Sequence, residues 1–397
     1  MKYALVIPDG AADEPLAELG GKTPLATARK PNMDWIATHG RCGTVRTIPR
    51  NMECGSDVAI LSVLGYDPRE FYTGRAPLEA AARGLAISDD EWVFRCNFVT
   101  IIDGLMEDHS AGHISTEEAA ALVAELNRLI GRDRIRFHAG VSYRHLMTLA
   151  GEVQVATTPP HDILGQPVAE HMPTGPGSEL LAALIQRSQS VLAEHEVNAV
   201  RRDLGENPAT HIWLWGQGKM PRLPLFADRF GIRAAAISAV DLVRGLAKLI
   251  GWDFIEVPGA TGFLDTNFAG KGAAASAALR DHDLVCVHVE ATDEAGHQGD
   301  VKGKVQAIEQ VDRHIVGPLL KHFQGQAEEW RIMVLPDHPT PCGRRTHTPE
   351  PVPFAVAGTG LSSIVQYGFT EQEAARSDLH IARGCDLMEF FLRGLQK

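Results

Sequence analysis

Short, continuous runs of apolar residues recur along the chain, and segments with helical periodicity separate them. Runs of this length without strict alternation are typical of strands buried on both faces of a mostly parallel sheet. Residues 239–250 and 301–322 carry apolar side chains at intervals of three and four, as amphipathic helices do. This alternation of strand and helix predicts a layered α/β core. The predicted strands are residues 3–7, 211–215, 234–238, 254–257, 284–289, 332–335 and 354–357.

Residues 91–176 have a different texture, with β-rich segments around one predicted helix at 116–130. The helix has the start signal of a capping box, Ser115 followed by Glu118. We interpret 91–176 as a smaller α+β domain inserted into a core formed by 1–90 and 177–397. The PTGPGSE segment at 173–179 is the predicted hinge back to that core.

Composition excludes several classes of protein. The chain has 397 residues, 44% of them apolar and 22% charged, which is typical of a globular protein. A net charge of -12 argues against nucleic acid as the main partner. The six cysteines form no CxxC pair and no apolar segment is long enough to span a bilayer, so we expect reduced thiols, a cytoplasmic location and no membrane partner. No GxGxxG follows the first strand, which argues against a Rossmann dehydrogenase.

Acidic and imidazole side chains end or adjoin several of the apolar runs. In an open α/β sheet, ligands collect at the carboxyl ends of the strands, so these side chains can converge. Three carboxylates and three imidazoles are enough ligands for two divalent ions of the zinc or manganese type. The candidates are Asp9, Asp293, His297, Asp337, His338 and His347.

Ser56 is a candidate nucleophile because it follows Gly55 and opens a predicted helix, where backbone N–H groups favour negative charge. Coordination to a divalent metal would lower the pKa of its hydroxyl enough to make it reactive. Asp293 and His297, four residues apart, would share one face of a helix. Each feature alone has a simpler structural explanation, such as an N-cap serine, and only their joint occurrence predicts a catalytic site.

An ordered series of motifs carries a resemblance to a known family. The segments PDG, GSD with GYDP, DEAGH, PDH and THTPEPVPF occur together with CNFVTIIDG, SAGHIS, GVSYRH, TPPHD, WLWGQG and PGATGFLDTN. In this series the chain resembles the alkaline phosphatase superfamily and, more narrowly, the archaeal-type branch of cofactor-independent phosphoglycerate mutases. One departure is Cys54, where proline is expected in this family.

The resemblance implies a three-layer, alkaline-phosphatase-like α/β core with a mostly parallel sheet and an inserted α+β lid domain. It implies interconversion of 3-phosphoglycerate and 2-phosphoglycerate, a reaction of glycolysis and gluconeogenesis, through a phosphoserine at Ser56. Two divalent ions would be needed, with manganese favoured and magnesium, zinc or cobalt open. One ion would be held by Asp9, Ser56, Asp337 and His338, and the other by Asp293, His297 and His347.

The substrate would be a small phosphorylated molecule, contacted by cations and imidazoles. Arg144 is the best candidate for a bidentate grip on phosphate or carboxylate. Asp162 or His161 could carry the glycerate hydroxyl proton. The full set of candidates is Arg144, His145, Asp162, His109 and Lys219.

Three alternatives stay open at this point. A related metal-dependent phosphatase, or a phosphotransferase such as a homoserine-kinase-like enzyme, would use the same metal site. A catalytically silent metal-binding protein could keep the same fold. The sequence leaves the oligomeric state open.

Overall fold

The structure is a computed structural model that describes residues 1–132, 134–364 and 367–394. Within these residues the strands are β1 Lys2–Pro8, β2 Arg41–Val45, β3 Glu91–Ile102, β4 Leu105–Asp108, β5 Ile135–Val141, β6 Arg144–Ala150, β7 His211–Lys219, β8 Ala234–Ile237, β9 Asp253–Phe254, β10 Leu284–Val289, β11 Trp330–Val334, β12 Val352–Gly358 and β13 His380–Ile381. The α-helices are α1 Pro24–Thr27, α2 Pro31–His39, α3 Ser56–Val63, α4 Pro68–Phe71, α5 Arg75–Arg83, α6 Thr116–Leu129, α7 Ser178–Ala193, α8 Glu196–Asp203, α9 Phe226–Phe230, α10 Asp241–Leu249, α11 Phe268–Ala278, α12 Ala291–Gln298, α13 Val301–Val311, α14 Gly317–Gln324, α15 Glu371–Arg376 and α16 Leu387–Arg393. Short 3-10 turns lie at Ala17–Leu19, Pro160–Ile163, Val168–His171 and Gly384–Asp386, and a π turn at Asp312–Val316.

The chain divides into two compact units, Met1–Tyr72 with Arg222–Lys397, and Thr73–Pro221. The first unit contains an eight-stranded sheet in the order β13-β2-β12-β11-β1-β10-β8-β9. Within this sheet β12 runs opposite to its neighbours β11 and β2, while the other adjacent strands pair in parallel. The prediction of a mostly parallel sheet is confirmed.

Helices cover both faces of this sheet, which makes the first unit a three-layer α/β structure. On one face α2, α11 and α13 bury side chains such as Met33, Ala275 and Ile308 against the strands. On the other face α3 and α10 pack against β1, β8 and β10. Because both faces are buried, the strands are continuous apolar runs, as the sequence indicated.

The second unit is built around an antiparallel sheet in the order β4-β3-β6-β5, with β7 also paired to β3. Helices α6 and α7 pack on it over a core that includes Phe94, Leu122, Leu184 and Trp213. The capping box predicted at the start of α6 is present.

The second unit extends beyond the predicted insertion of 91–176 at both ends. Strand β7 pairs with β3 from Trp92 to Val99, so the run at 211–215, assigned from sequence to the parallel sheet, is an antiparallel strand of the second unit. Helix α5 contacts both β3 and β7 and so belongs to the same unit. An apolar run indicates that a strand is buried but not which sheet it joins. For this reason the observed bounds of the second unit differ from the predicted insertion.

The predicted helix at 301–322 is divided by the π turn at Asp312–Val316. The Asp312 carboxylate there accepts hydrogen bonds from the backbone of Met33 and the side chain of Asn32, which ties the turn to α2. No helix within the described residues combines the length and apolar composition needed to cross a bilayer.

Candidate active site

Three neighbouring parallel strands bring the acidic and imidazole residues to one edge of the sheet. Strands β1, β10 and β11 are adjacent, and the loops and helix that leave their carboxyl ends begin at Asp9, Glu290 and Leu335. Of the residues predicted from sequence to bind metal, Asp9, Asp337 and His338 follow strand ends closely, Asp293 and His297 lie on α12, His347 lies in the segment between β11 and β12, and Ser56 opens α3. All seven lie in the first unit: Asp9, Ser56, Asp293, His297, Asp337, His338 and His347.

The first group of these residues surrounds Nε2 of His338. Its distance is 3.0 Å to Ser56 Oγ, 3.4 Å to Asp337 Oδ2 and 3.5 Å to Asp9 Oδ1. Ser56 is the first residue of α3, and the preceding Gly55 is extended, so its hydroxyl lies at the start of the helix. Two carboxylates, an imidazole and a serine hydroxyl therefore face a common point.

The second group is formed by Asp293, His297 and His347. Asp293 and His297 are one turn apart on α12, with 3.2 Å between Oδ2 and Nε2. His347 Nε2 is 3.5 Å from the other carboxylate oxygen and 2.8 Å from His297 Nε2. Ligand atoms of Asp9, Asp293 and His338 also lie within 4.8 Å of one another, so the two groups adjoin.

The hydrogen bonds of Nδ1 in His297 and His347 determine whether Nε2 of each ring carries a proton or a lone pair. His297 Nδ1 lies 3.1 Å from the carbonyl oxygen of Arg345, and His347 Nδ1 lies 3.2 Å from that of Cys54. A ring nitrogen beside a carbonyl carries the proton, so in a neutral imidazole Nε2 presents a lone pair. Two lone pairs 2.8 Å apart, next to a carboxylate, require a proton or a cation between them.

Two buried carboxylate oxygens point to the same conclusion for the first group. Asp9 Oδ1 and Asp337 Oδ2 have no hydrogen-bond partner among the described residues. Because an unpaired buried charge is costly, such oxygens require a proton or a cation. The mixed oxygen and nitrogen donors of both groups fit divalent ions of the manganese or zinc type.

The pKa values of these side chains are shifted because several charged groups lie close together. Burial, followed by repulsion from Asp337 and Glu290, raises the pKa of Asp9 well above its usual range. Burial alone would raise the pKa of Asp293, but hydrogen bonds from His297 and His347 bring it well below that range. The hydrogen bond to Asp293 raises the pKa of His297 to about 9.

Supporting contacts around the cluster were not predicted from the sequence. His288 Nε2 lies 2.8 Å from Asp9 Oδ2, and Ser238 Oγ lies 3.1 Å from His288 Nδ1, all fully or nearly buried. Thr340 donates to the Asp293 carboxylate, and the backbone N–H of Gly10 donates to Asp337. A histidine inside the apolar run of β10 was the available signal for His288, since few other reasons place an imidazole there.

In the second unit, several predicted substrate-binding residues lie near one another. The ring of His161 is 5.3 Å from that of Trp215 and 6.2 Å from that of His109. The His109 ring is also 5.8 Å from Tyr143, and Asp162 is adjacent to His161. We call His109, Tyr143, His161 and Trp215 the aromatic patch.

Two cations adjoin the aromatic patch. The guanidinium of Arg144 lies 5.9 Å from the Tyr143 ring. Arg95, which the sequence did not single out, stacks 4.0 Å over Trp215 and pairs with Glu79 at 3.2 Å. An arginine inside a predicted β-rich segment was the only sequence signal for Arg95. The pairing of β3 with β7 places Arg95 opposite Trp215, and neither strand's own sequence shows this pairing.

The other two predicted residues have different surroundings. His145 is 1% exposed, accepts a hydrogen bond from the backbone of Gly140 and packs edge-on to Phe98, so its side chain lies in the core of the second unit. Burial lowers the pKa of His145 to about 3, which keeps it neutral. Lys219 pairs with Glu152 at 2.8 Å, and no contact among the described residues joins it to the aromatic patch.

The fold and the cluster define a class of protein: a three-layer α/β protein whose strand ends place a helix-start serine among ligands suited to divalent cations. A family model of the 2,3-bisphosphoglycerate-independent phosphoglycerate mutases matches residues 37–198. Relatives of that name match over the whole chain. The one from Methanothrix thermoacetophila is 49% identical, with 99% of this chain and 100% of the relative covered. A probable member from Geobacter sulfurreducens is 47% identical with the same coverage.

Solved structures agree with this relationship. A Pyrococcus horikoshii protein of 32% identity superposes with a TM-score of 0.84, over 100% of this chain and 98% of the other. The cofactor-independent phosphoglycerate mutase of Thermoplasma acidophilum is 26% identical with a TM-score of 0.68, over 99% of both chains. The chain belongs to the 2,3-bisphosphoglycerate-independent phosphoglycerate mutase family.

Proposed function

We propose that this protein interconverts 3-phosphoglycerate and 2-phosphoglycerate without 2,3-bisphosphoglycerate, through a phosphoserine at Ser56. The observation that carries the proposal is the meeting of Ser56 Oγ with the carboxylates and imidazoles at the ends of β1, β10 and β11. Relatives named for this reaction match the chain from end to end, which supports the same assignment.

Two divalent cations, proposed to be manganese, fit the two groups of ligands. We assign Asp9, Ser56, Asp337 and His338 to one cation, and Asp293, His297 and His347 to the other. When bound, the cations neutralise phosphoryl oxygens and lower the pKa of the serine hydroxyl.

The residues of the chain position the nucleophile. Ser56 Oγ lies 3.4 Å from Asp9 Oδ2, to which its hydroxyl donates, and 3.0 Å from His338 Nε2. The N–H groups of the first turn of α3 favour negative charge on the phosphoserine. Asp57 is fixed by Tyr72, whose hydroxyl donates to it at 2.5 Å, and this anchors the first turn.

The aromatic patch and its cations are proposed to contact the glycerate part of the substrate. Arg95 is held in one orientation by Glu79 and Trp215, and such a pre-organised guanidinium loses little entropy when it binds a carboxylate or phosphate. His161 or Asp162 is proposed to carry the proton of the glycerate hydroxyl. Retaining glycerate and excluding water is what separates a mutase from a phosphatase on the same metal centre.

An assay with purified protein, manganese and 3-phosphoglycerate, but no 2,3-bisphosphoglycerate, tests the proposal. We expect 2-phosphoglycerate to form without release of inorganic phosphate. Release of phosphate alone would identify a phosphatase, and phosphorylation of homoserine by ATP in a parallel reaction would identify the kinase role.

The serine assignment is tested by Ser56→Ala, with Ser276→Ala on α11 as a matched control. We expect Ser56→Ala to lose mutase activity by at least about 10³-fold, because no phosphoserine can form. Its manganese content should change little, since the remaining ligands persist. Full activity in Ser56→Ala would rule out the phosphoserine route.

A further inference from the structure

A cavity of about 240 Å³ in the first unit is lined by four arginines and contains none of the seven residues of the cluster. Its wall is formed by the segments that follow β2, α3 and β13. The lining residues include Arg46, Arg50, Arg69 and Arg383, with Asp67 as the one lining carboxylate. Such a concentration of positive charge is unusual in a chain of net charge -12.

Hydrogen bonds within the protein leave much of this charge without a partner. Arg383 pairs with Asp67 at 3.3 Å and with Asp386 at 3.8 Å, and Arg46 donates to the carbonyl of Pro349 at 3.0 Å. The side chains of Arg50 and Arg69 make no hydrogen bond or ion pair with the other described residues. Bringing guanidinium groups together around one cavity is unfavourable unless an anion neutralises them.

The wall of the cavity also contains a buried polar atom without a partner. The hydroxyl of Ser62 belongs to a residue that is 1% exposed and has no hydrogen-bond partner among the described residues. A buried hydroxyl in this state costs free energy, and a rotation of the Ser62 side chain toward the cavity would let it donate to an oxygen of a bound ligand. The guanidinium groups themselves form a set of donors for a small, multiply charged oxyanion.

We propose that this arginine cavity binds a phosphate group, either as inorganic phosphate or as a small phosphate monoester. Arginine is suited to this ligand because its planar fork donates two parallel hydrogen bonds to phosphate oxygens. The volume fits a single small anion, and the acidic character of the whole chain disfavours a polyanion such as nucleic acid. Ser62 lies six residues after Ser56 on α3, so the cavity adjoins the helix of the nucleophile at a point about 9 Å along its axis.

Titration of the metal-loaded protein with inorganic phosphate, followed by isothermal calorimetry, tests this site. The test variant is Arg50→Ser with Arg69→Ser, and the control is Arg280→Ser with Arg313→Ser, which removes two exposed charges of the same unit away from the cavity. We expect the test variant to bind phosphate in the cavity at least roughly tenfold more weakly than the control does. Its mutase activity without added phosphate should match that of the control, because the metal centre is intact.

Identical phosphate affinity and stoichiometry in the two double variants would overturn the proposal. If the test variant melts earlier than the control, the single variants Arg50→Ser and Arg69→Ser replace it in the same titration. A parallel titration with glycerol 3-phosphate distinguishes a phosphate monoester from inorganic phosphate as the ligand. Tighter binding of this ester than of phosphate, lost in the test variant, identifies a monoester as the ligand, whereas tighter binding of phosphate identifies the free ion.

Discussion

At the scale of single residues, the side chains that contact the proposed metal ligands fix the orientation of those ligands. Asp9 has one oxygen without a partner and another that faces His288. The imidazole of His288 is itself held by Ser238. A carboxylate oriented in this way loses less entropy when it binds a cation, so His288 is a positioning residue for Asp9.

Replacing this imidazole should weaken metal binding more than it weakens folding. We expect His288→Leu to lower the affinity for manganese by about 10- to 100-fold, measured by calorimetry on the metal-free protein. His288→Gln should recover part of the affinity, because its amide can still donate to Asp9. Ser238→Ala, which leaves the imidazole in place, should have a smaller effect, and an unchanged affinity in His288→Leu would contradict the positioning role.

Gly10 is required by both its backbone conformation and its surroundings. Its φ is +60°, and a Cβ there would lie 2.5 Å from Asp293 Oδ1 and from Thr340 Oγ1. Gly231 has a φ of +70° but no atom within 4 Å of the added Cβ, so it controls for conformation alone. We expect Gly231→Ala to lose about 1–2 kcal/mol of unfolding free energy in urea, and Gly10→Ala to lose more, because its Cβ would also displace Asp293 and Thr340.

Only Gly10→Ala should also lose activity, on the order of 10²-fold in kcat, because displacing Asp293 misplaces the reacting groups. Equal kcat in the two variants would mean that Asp293 can move without consequence.

The convergence of the seven residues could be predicted because acids and histidines recur next to several apolar runs together with a serine that opens a helix, although each signal is weak by itself. His288, Thr340 and Arg95 could not, because their roles depend on strand register and on which loops meet. The burial of His145 could not be predicted for a related reason: its neighbour Arg144 is exposed, and successive residues of a strand face opposite sides.

At the scale of elements, a buried ion pair joins the segments that carry the site. Lys304 on α13 donates to Asp13 Oδ2 at 2.8 Å and to the carbonyl oxygens of Ala12 and Thr340. Lys304 therefore ties the segment after β1 to the segment after β11. Both its side chain and that of Asp13 are fully inaccessible to solvent.

Removing this lysine should be strongly destabilising. We expect Lys304→Met to lose about 3–5 kcal/mol of unfolding free energy in urea, because Asp13 is left as an uncompensated buried charge. Lys302→Met, an exposed position on the same helix, should change stability by less than about 0.5 kcal/mol. A loss below about 1 kcal/mol in Lys304→Met would show that the pair contributes little.

A loop of the second unit should give a pH-dependent stability. Burial alone would raise the pKa of Asp108, but hydrogen bonds from Ser110, Asn207 and the amide of Gly112 lower it to about 2. A depressed folded-state pKa adds stability above the ordinary value of 3.8, and this stability is lost as pH falls towards 2. Asp108→Asn should therefore be less stable than wild type near neutral pH, with a difference that narrows below about pH 4. Urea unfolding of both proteins across this pH range measures the difference in unfolding free energy. A difference that does not change with pH would exclude the ionised carboxylate as its cause.

Element type was predictable, but assignment to a sheet was less so. The helix α6 and its capping box followed from local sequence, and the runs that form β1, β10 and β11 followed from burial. Strand β7 was placed in the wrong sheet because its long-range partner β3 leaves no mark in its own sequence.

At the scale of the whole molecule, the two units contain different kinds of candidate site. The cluster of proposed metal ligands lies in the first unit, and the aromatic patch lies in the second. A ligand that binds only the folded state stabilises the part that binds it, by about 2.7 kcal/mol when its concentration is 100 times Kd. The effect of metal should therefore be local.

Hydrogen exchange followed by mass spectrometry measures this localisation. We expect added manganese to slow exchange at the carboxyl ends of β1, β10 and β11 and at the start of α3, with little change in β3, β6 and β7. Asp337→Asn should reduce the protection, because one ligand is lost. Equal protection of both units, or none in either, would contradict the assigned metal centre.

The two facing imidazoles have a consequence for how the protein responds to acid. Without a cation, the nitrogens of His297 and His347 share the space next to Asp293 with a proton. Loading the centre must expel that proton, so uptake of metal acidifies the medium and acidification in turn drives metal out. If the proposed metal centre is correct, the two imidazoles that would hold the ion at neutral pH would also release it in acid.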